Sequence, residues 1–344
     1  MNLKELSSLL HLSQTTVSRA LNGFPEVSEV TRRRVQDAAR RFNYKPNSRA
    51  LGLATGRARA IGHVISTTVH HELVNPIFGD FVAGAAAAYA RRGYDMIFKV
   101  VDKDDEELAY RELIARRAVD GVVLQGPAVN EPRIQMLTSL KMPFVVHGRA
   151  SNVTQPYDWI DVNNRSAFRR ATEYLLALGH RRIALINGLE TMDFAFRRRQ
   201  GYLDALSASG IVPDPLLMKS AEMTENYGHR ETRELLNMPN PPTAIVVASM
   251  MSAIGVRRAL LETGKTMGKD VSVITYDDDI SYLRNGQDRP VFTATRSSVR
   301  GAGEVVADML ITRIDKPHAP TFSTLLETEF VIGTSTGPAP GFSG

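Results

Sequence analysis

The sequence predicts an all-α head followed by an α/β body built on two open, doubly wound parallel sheets. Short helical stretches with capping residues fill the first 45 residues. From Ile61 onward, apolar β-like runs alternate with amphipathic helical stretches, the pattern of a parallel sheet. The alternation lasts for about 280 residues, more than a single core usually organises, so two sheets are expected rather than one.

Composition sets the outer bounds. The 344 residues suffice for two or three domains. There is no cysteine, which excludes disulfides, thiol chemistry and cysteine-ligated metals. No apolar run reaches the roughly 18 residues that span a membrane. The chain opens on an amphipathic segment containing Glu5 and His11 rather than on a signal-peptide pattern, so a cytoplasmic protein is expected. Net charge is +5 but unevenly placed: residues 1–60 hold eleven Lys/Arg against four acids. A basic head on a near-neutral body points to a polyanion partner for the head alone.

Taken in order, Asn2 and Glu5 form a capping box. Leu3, Leu6, Leu9 and Leu10 keep helical spacing, and His11-Leu12-Ser13 leaves room only for a tight turn. Ser13 is a good N-cap for the next helix, whose Val17, Ala20 and Leu21 form an apolar stripe. Gln14, Thr15, Ser18 and Arg19 are left outward, with no acid among them. Gln suits adenine, and Arg suits guanine or a phosphate. Asn22-Gly23-Phe24-Pro25 marks a turn, and Ser28 caps a third helix with Thr31, Val35, Ala38, Ala39 and Phe42 on one face. Three helices in about 45 residues match a minimal helix-turn-helix headpiece. Pro46 stops that helix, and Asn47 or Ser48 can cap another that is only two turns long and contains Gly52. Helices under about 12 residues are marginal alone, so this segment is expected to order on contact. In the body, strands are expected at 61–66, 94–100, 121–124, 144–147, 183–187, 244–248, 271–276 and 291–296. Helices are expected at 76–92, 105–117, 131–141, 164–178, 194–209, 225–236, 253–262 and 298–312, with a break near 158–163.

The run Ser13-Gln14-Thr15-Thr16-Val17-Ser18-Arg19-Ala20-Leu21-Asn22 resembles the signature of the lactose-repressor (LacI) family of bacterial transcription regulators. Asn43-Tyr44-Lys45-Pro46-Asn47 resembles that family's entry to its hinge. Asn75-Pro76-Ile77-Phe78, Leu178-Gly179-His180-Arg181-Arg182-Ile183-Ala184, Arg198-Arg199-Gln200-Gly201-Tyr202 and Tyr276-Asp277-Asp278 extend the likeness over nearly the whole chain. Val145-Val146-His147-Gly148-Arg149 and the run from Val291 to Arg300 look most like repressors of α-glucoside transport operons. The resemblance implies a headpiece at 1–45, a hinge helix and linker at 46–59, and a two-lobed core like a periplasmic sugar-binding protein. One lobe is expected at 60–160 plus 290–320 and the other at 161–289 plus 321–337, with a flexible tail at 338–344.

By the same resemblance, Gln14 and Thr15 read major-groove bases with Arg19 beside them. Thr16, Ser18 and Asn22 touch phosphate or cap the recognition helix. Leu53 is the wedge pushed into the minor groove, with Ala50 packed beside it. Two headpieces are needed, so the partners implied are a homodimer and a near-palindromic operator duplex. At the other end, ligands of open α/β sheets bind beyond the carboxyl ends of the strands. Arg198 and Asp277 match family ligand positions there, where a guanidinium fork and a carboxylate can hold sugar hydroxyls. Asn75 and Phe78 stand at the same end. Phe78, His147 and Trp159 either meet the ligand or belong to the core, and Asp161 follows Trp159. The family often has Asn-Asp where this chain has Ser249-Met250, which implies a more apolar pocket. Ser297 replaces a longer amide.

An enzyme is the first rival reading. The sequence has no P-loop, dinucleotide fingerprint, metal-ligand cluster or nucleophile elbow. His70-His71-Glu72 has no spaced partner. No cofactor is expected. A stand-alone sugar-binding protein would leave the basic head unexplained, and a non-sugar co-repressor would use the same parts as a sugar inducer. The wedge yields a test: Leu53→Ala is expected to lose operator preference while keeping salt-sensitive general DNA binding. Equal operator affinity of variant and parent in a gel shift would refute the wedge.

Overall fold

The computed structural model describes residues 1–21, 23–44, 56–66, 75–102 and 105–342. The chain divides into two compact units, a head and a body.

In the head, α1 (Leu3–Leu10), α2 (Gln14–Leu21) and α3 (Glu29–Arg41) close around Leu6, Leu10, Val17, Ala20, Val27, Val35 and Ala39. The capping box is present: Glu5 N–H donates to Asn2 Oδ1 at 2.9 Å, and Asn2 N–H to Glu5 Oε2 at 3.0 Å. His11 takes the left-handed conformation (φ 49°) that ends α1. The arginine run is divided. Arg32 donates to Phe24 O and Arg34 to Leu10 O, both at 2.9 Å, so these two brace the head. Arg33 pairs on the surface with Glu29, which Arg32 also contacts.

The body holds β1 (Ala60–Ser66), α4 (Pro76–Arg91), β2 (Asp95–Val101), α5 (Glu106–Ala115), β3 (Gly121–Gln125), α6 (Pro132–Ser139), β4 (Phe144–His147) and β5 (Trp159–Val162). There follow α7 (Asn164–Ala177), β6 (Ile183–Asn187), α8 (Asp193–Ala208), β7 (Met218–Ser220), α9 (Glu225–Leu236), β8 (Ala244–Val247), α10 (Met250–Glu262) and β9 (Ser272–Asp277). Last come β10 (Thr293–Arg296), α11 (Val299–Asp315), β11 (Ser323–Leu326) and β12 (Glu329–Val331). Two six-stranded sheets result, ordered β11-β5-β4-β3-β1-β2 and β12-β10-β9-β8-β6-β7. Among the described strands all pairings are parallel except β12 with β10. Strands buried on both faces read as continuous apolar runs. In β6, Ile183 and Leu185 enter one core while Ala184 and Ile186 enter the other.

The lobe boundaries differ from the expectation. Thr293–Arg296 pairs with β9 in the second sheet, so the chain crosses after Arg296 rather than at 290. Ser323–Leu326 pairs with β5 in the first sheet, so it crosses back after Leu326 rather than at 321. The first crossing does fall near 158–163, just after Trp159–Val162, which the sequence did not show as a strand and which belongs to the first sheet. Trp159–Val162 and Ser323–Leu326, like β7 and β12, have three or four residues and carry too little alternation to declare a strand.

The tail also departs from expectation, because residues 338–342 are docked. Ala339 N–H donates at 2.8 Å to Leu178 O, one of the carbonyls α7 leaves unpaired at its end. Gly179 (φ +86°) leaves room for the Phe342 ring, whose nearest atoms lie 2.4 Å from where a Cβ would stand. His180 Nε2 donates to Gly337 O at 3.0 Å.

Helix pairs approach closely where a side chain is missing. A Cβ on Gly84 of α4 would fall 2.1 Å from Arg300 O, and one on Gly303 of α11 would fall 2.2 Å from Phe81 O. Backbone cannot retreat as a flexible side chain can. Gly84→Ala is therefore expected to destabilise the body by about 2–3 kcal/mol, read as a lower urea midpoint. An unchanged midpoint would mean that α4 and α11 separate freely.

Candidate functional site

On α2 of the head, Val17 and Ala20 are fully buried, which turns Gln14, Thr15 and Arg19 to solvent with Thr16 and Ser18 half-buried beside them. Ser13 Oγ accepts the Thr16 N–H at 3.1 Å, which starts the helix so that its first turn presents Gln14 and Thr15. Asn22, Ala50 and Leu53 lie outside the described residues, as do 46–55 of the expected hinge and His70-His71-Glu72.

In the body, a cleft of about 440 Å³ lies between the two sheets. Its lining follows strand after strand at the carboxyl ends: Gln125 at the end of β3, His147 at the end of β4, Asp161 in β5, Ala248 after β8, Asp278 after β9 and Ser297 after β10. Of the residues singled out from the sequence, Asn75, Phe78, His147, Asp161 and Arg198 line it, while Trp159 and Asp277 do not.

Arg198, on α8, is 5% exposed. Its Nε donates to Asn164 Oδ1 at 2.8 Å and its Nη1 to Ala248 O at 2.6 Å. The guanidinium lies 4.0 Å from the Tyr276 ring centre, 4.9 Å from Phe194 and 5.2 Å from Phe168. Burial lowers its pKa, while Tyr276, Asp278 and Asp161 oppose that shift. Asp161 is held by Arg149 Nε at 2.8 Å and Asn164 Nδ2 at 3.2 Å, and burial raises its pKa against that partner.

Trp159 is stacked on protein instead: the Arg149 guanidinium lies 4.9 Å from its ring. Asp277 turns back to accept the Asp279 N–H at 2.9 Å. Its neighbour Asp278 takes the place in the cleft that the sequence suggested for Asp277. Asn75 caps α4 by accepting the Ile77 N–H at 3.1 Å, and Phe78 sits edge-on to Phe98. The His147 ring stacks on Phe81 with centroids 4.5 Å apart, and burial lowers its pKa to about 4, so the ring is neutral at physiological pH.

Sequence reasoning missed Asn164, Tyr276, Asp278 and Gln125. Tyr276 and Asp278 lie inside the Tyr276-Asp277-Asp278 motif, but which residue of that run faces the cleft depends on how β9 ends. Gln125 carried no signal at all, yet its Nε2 is buried without a hydrogen-bond partner among the described residues. Ser249 caps α10 by accepting the Met251 N–H at 3.2 Å, Met250 enters the core, and Met251 faces the cleft, so this corner is apolar.

Two junctions hold the lobes beside the cleft. Val129 N–H donates to Thr191 O at 3.1 Å, Asp193 N–H to Pro127 O at 3.0 Å, and Ser151 N–H to Asp193 Oδ1 at 2.7 Å. Elsewhere Asp80 accepts from Ser281 N–H at 2.6 Å, Ser281 Oγ at 2.8 Å and Arg300 Nη2 at 2.9 Å.

The Asp278 carboxyl is pushed up to about 7, first by burial, with Arg198 lowering it and Asp277 raising it. The unfolded chain releases that proton near 3.8. The folded state therefore binds more protons in between. The Asp278 contribution to stability is full below the lower value and declines as pH rises to the upper one. Asp278→Asn cannot ionise. Its melting temperature relative to the parent is expected to climb across that interval and level off above it. A difference independent of pH in parallel thermal melts would contradict this.

A family profile described as "Periplasmic binding proteins and sugar binding domain of LacI family" matches residues 63–333. Another, "Bacterial regulatory proteins, lacI family", matches residues 2–47. The chain is 41% identical over 345 residues to the HTH-type transcriptional regulator AglR of Rhizobium meliloti (strain 1021), covering 98% of this chain and 95% of that protein. It is 34% identical to the HTH-type transcriptional regulator RafR of Escherichia coli, over 99% of this chain and 100% of that one. Two solved structures are similar. The transcriptional regulator CelR–cellobiose complex gives a TM-score of 0.72 at 28% identity, over 97% of this chain and 99% of that one. The lac repressor dimer bound to operator and the anti-inducer ONPF gives 0.83 at 25% identity, over 98% and 99%. The chain belongs to the LacI family of bacterial regulatory proteins, as a DNA-binding transcriptional repressor with a sugar-binding domain rather than an enzyme.

Proposed function

We propose that this repressor acts in the bacterial cytoplasm as a homodimer on a near-palindromic operator, and that an α-glucoside disaccharide lodged between the lobes relieves repression. The observation that carries the reading is the cleft itself: about 440 Å³, with Arg198 and Asp278 among its polar groups and aromatic side chains beside them. Cavities of that size suit ligands larger than a single small ring. The runs Val145 to Arg149 and Val291 to Arg300 support the α-glucoside class. The cellobiose in the CelR complex is a disaccharide, and the lac repressor structure is an operator-bound dimer. Exposed Phe98 and Val100 on the edge strand β2 favour a covered face there.

In this reading Gln14, Thr15 and Arg19 read bases, Thr16, Ser18 and Asn22 meet phosphates or cap the helix, and Ala50 and Leu53 enter the minor groove. Arg198, Asp278, Asp161, His147 and Asn75 hold hydroxyls, and Phe78 covers a ring face. Asp277 and Trp159 act behind them, one shaping the turn of Asp278 and the other bracing Arg149. The effector biases the angle between the lobes and so the order of the hinge segments.

A gel shift on operator duplex tests this. A disaccharide such as maltose is expected to release the parent from operator. Arg198→Lys keeps the charge but loses the planar fork. It is expected to bind operator normally while needing about tenfold more sugar, in keeping with the loss of one charge-assisted hydrogen bond. Sugar that tightens binding would reverse the sign and make it a co-repressor. Failure of every disaccharide to change the shift would refute the effector class.

A further inference from the structure

The cleft has two unlike parts. Arg198, Asn164 and Asp278 give one part its polar groups. The loops and first helical turns after β6, β7 and β8 line the other with Leu189, Met192, Phe194, Met223 and Met251, with Glu222, Thr224 and Glu225 on the rim beside Met223. These side chains are neighbours. A Cβ placed on Gly188 would lie 3.2 Å from the Phe194 ring and 3.3 Å from Met223 Sδ. Ser252 Oγ donates to Thr224 O at 3.1 Å, which brings the turn carrying Met251 beside the one carrying Met223. Met192 reaches across to the first lobe, its Cε 2.8 Å from where a side chain on Gly126 would begin. Leu189 is 40% exposed.

Water against such a surface is displaced favourably by any apolar group, in proportion to the area covered. Thioethers are flexible and polarisable, so they mould to flat rings and to C–H faces alike. We propose that this methionine-rich wall takes the apolar half of a glycoside, an aglycone or the C–H face of a second sugar ring, while the groups around Arg198 take the hydroxyls of the first ring. The proposal rests on the glycoside reading above and adds which half of the ligand meets which part of the cleft. It makes Met223 and Met251 specificity-determining residues: they favour effectors with an apolar second half over equally sized polar ones.

Calorimetry on the full chain decides it, using matched methyl and phenyl glycosides of glucose and galactose in both anomeric forms, with maltose alongside. For whichever sugar binds, the phenyl glycoside is expected to bind at least about tenfold more tightly than the methyl one, the gain from burying a ring face. Met223→Thr and Met251→Thr should each lose most of that gain and leave the methyl glycoside unaffected. Met223→Leu and Met251→Leu should retain it. Equal affinities for phenyl and methyl glycosides, or a phenyl gain that survives both Thr changes, would overturn the wall and leave the glycoside reading standing. Absence of binding by every glycoside and by maltose would overturn both. If a Thr variant melts early, the parent's phenyl-to-methyl ratio and the Leu variants still separate these outcomes.

Discussion

A line of hydrogen bonds along the cleft ties one lobe to the other. Arg149 donates to Asp161, Asn164 donates to the same carboxylate, and Arg198 donates to Asn164 and to the carbonyl that ends β8. A guanidinium and a carboxylate taken out of water cost several kcal/mol each unless every charge is met. That cost makes the line all-or-none, since loss of one member strands a buried charge next to it. It also spans the crossing between β5 and α7. The chain cannot pivot there without moving Arg198, the most enclosed cation of the cleft. The fold thus places its costliest polar contacts where a ligand would add or compete for hydrogen bonds.

Long regular elements were legible in the sequence, and so was the division into head and body. The eight strands expected from apolar runs all exist, most of them because strands covered on both faces must be apolar throughout; the edge strand β2 is apolar although Phe98 and Val100 are exposed. Four short strands were invisible for the opposite reason. Trp159–Val162 and Ser323–Leu326 owe their conformation to the partners they lie beside rather than to their own side chains. The limit near 326 failed for the same cause, since that crossing falls between two such strands, β11 and β12; the limit near 296 failed because the strand before it was expected but not its sheet. At the site, residue type was readable but direction was not. Asp277 and Asp278 are adjacent carboxylates of equal chemistry. Only the turn after β9, where Asp277 caps the Asp279 amide, determines which one faces the cleft. The docked tail was hidden because its anchor is an absence, the missing side chain of Gly179.

The head shows how a basic surface can be kept available for phosphate. Arg32 and Arg34 are committed to carbonyls that hold the helices together. Arg33 and Arg40 instead pair with Glu29 and Asp37 at exposed positions. Exposed pairs of this kind contribute about 0–1 kcal/mol and yield to salt. A phosphate can replace the acid at little cost, with release of counterions as the driving term. Arg34 and Arg32, which brace the helices, are therefore distinguished on one helix from the more exposed Arg33 and Arg40, and the sequence run Arg32-Arg33-Arg34 conceals the difference.

Regulation needs two arrangements of the lobes close in free energy, since a ligand can shift an equilibrium only by its difference in affinity for the two states. The body supplies the elements for that balance. Three covalent crossings permit a change of angle, and non-covalent contacts oppose it, including two sets besides the line through Asn164 and Asp161. One is the short ladder of 127–129 against 191–193 with Ser151 on Asp193. The other is Asp80 on Ser281, with Arg300 of its own lobe holding the carboxylate in place. Each involves few groups, and both flank the cleft. Pro127 and Met192 belong to one junction and line the cavity, while Phe81 and Ser298 do so next to the other. A molecule seated between them meets both lobes at once, so its contacts and the junctions act on the same coordinate. A ligand that touched only one lobe would bind both arrangements equally and change nothing, however tightly it was held. That requirement, more than affinity, explains why the polar groups of the cleft come from both sheets.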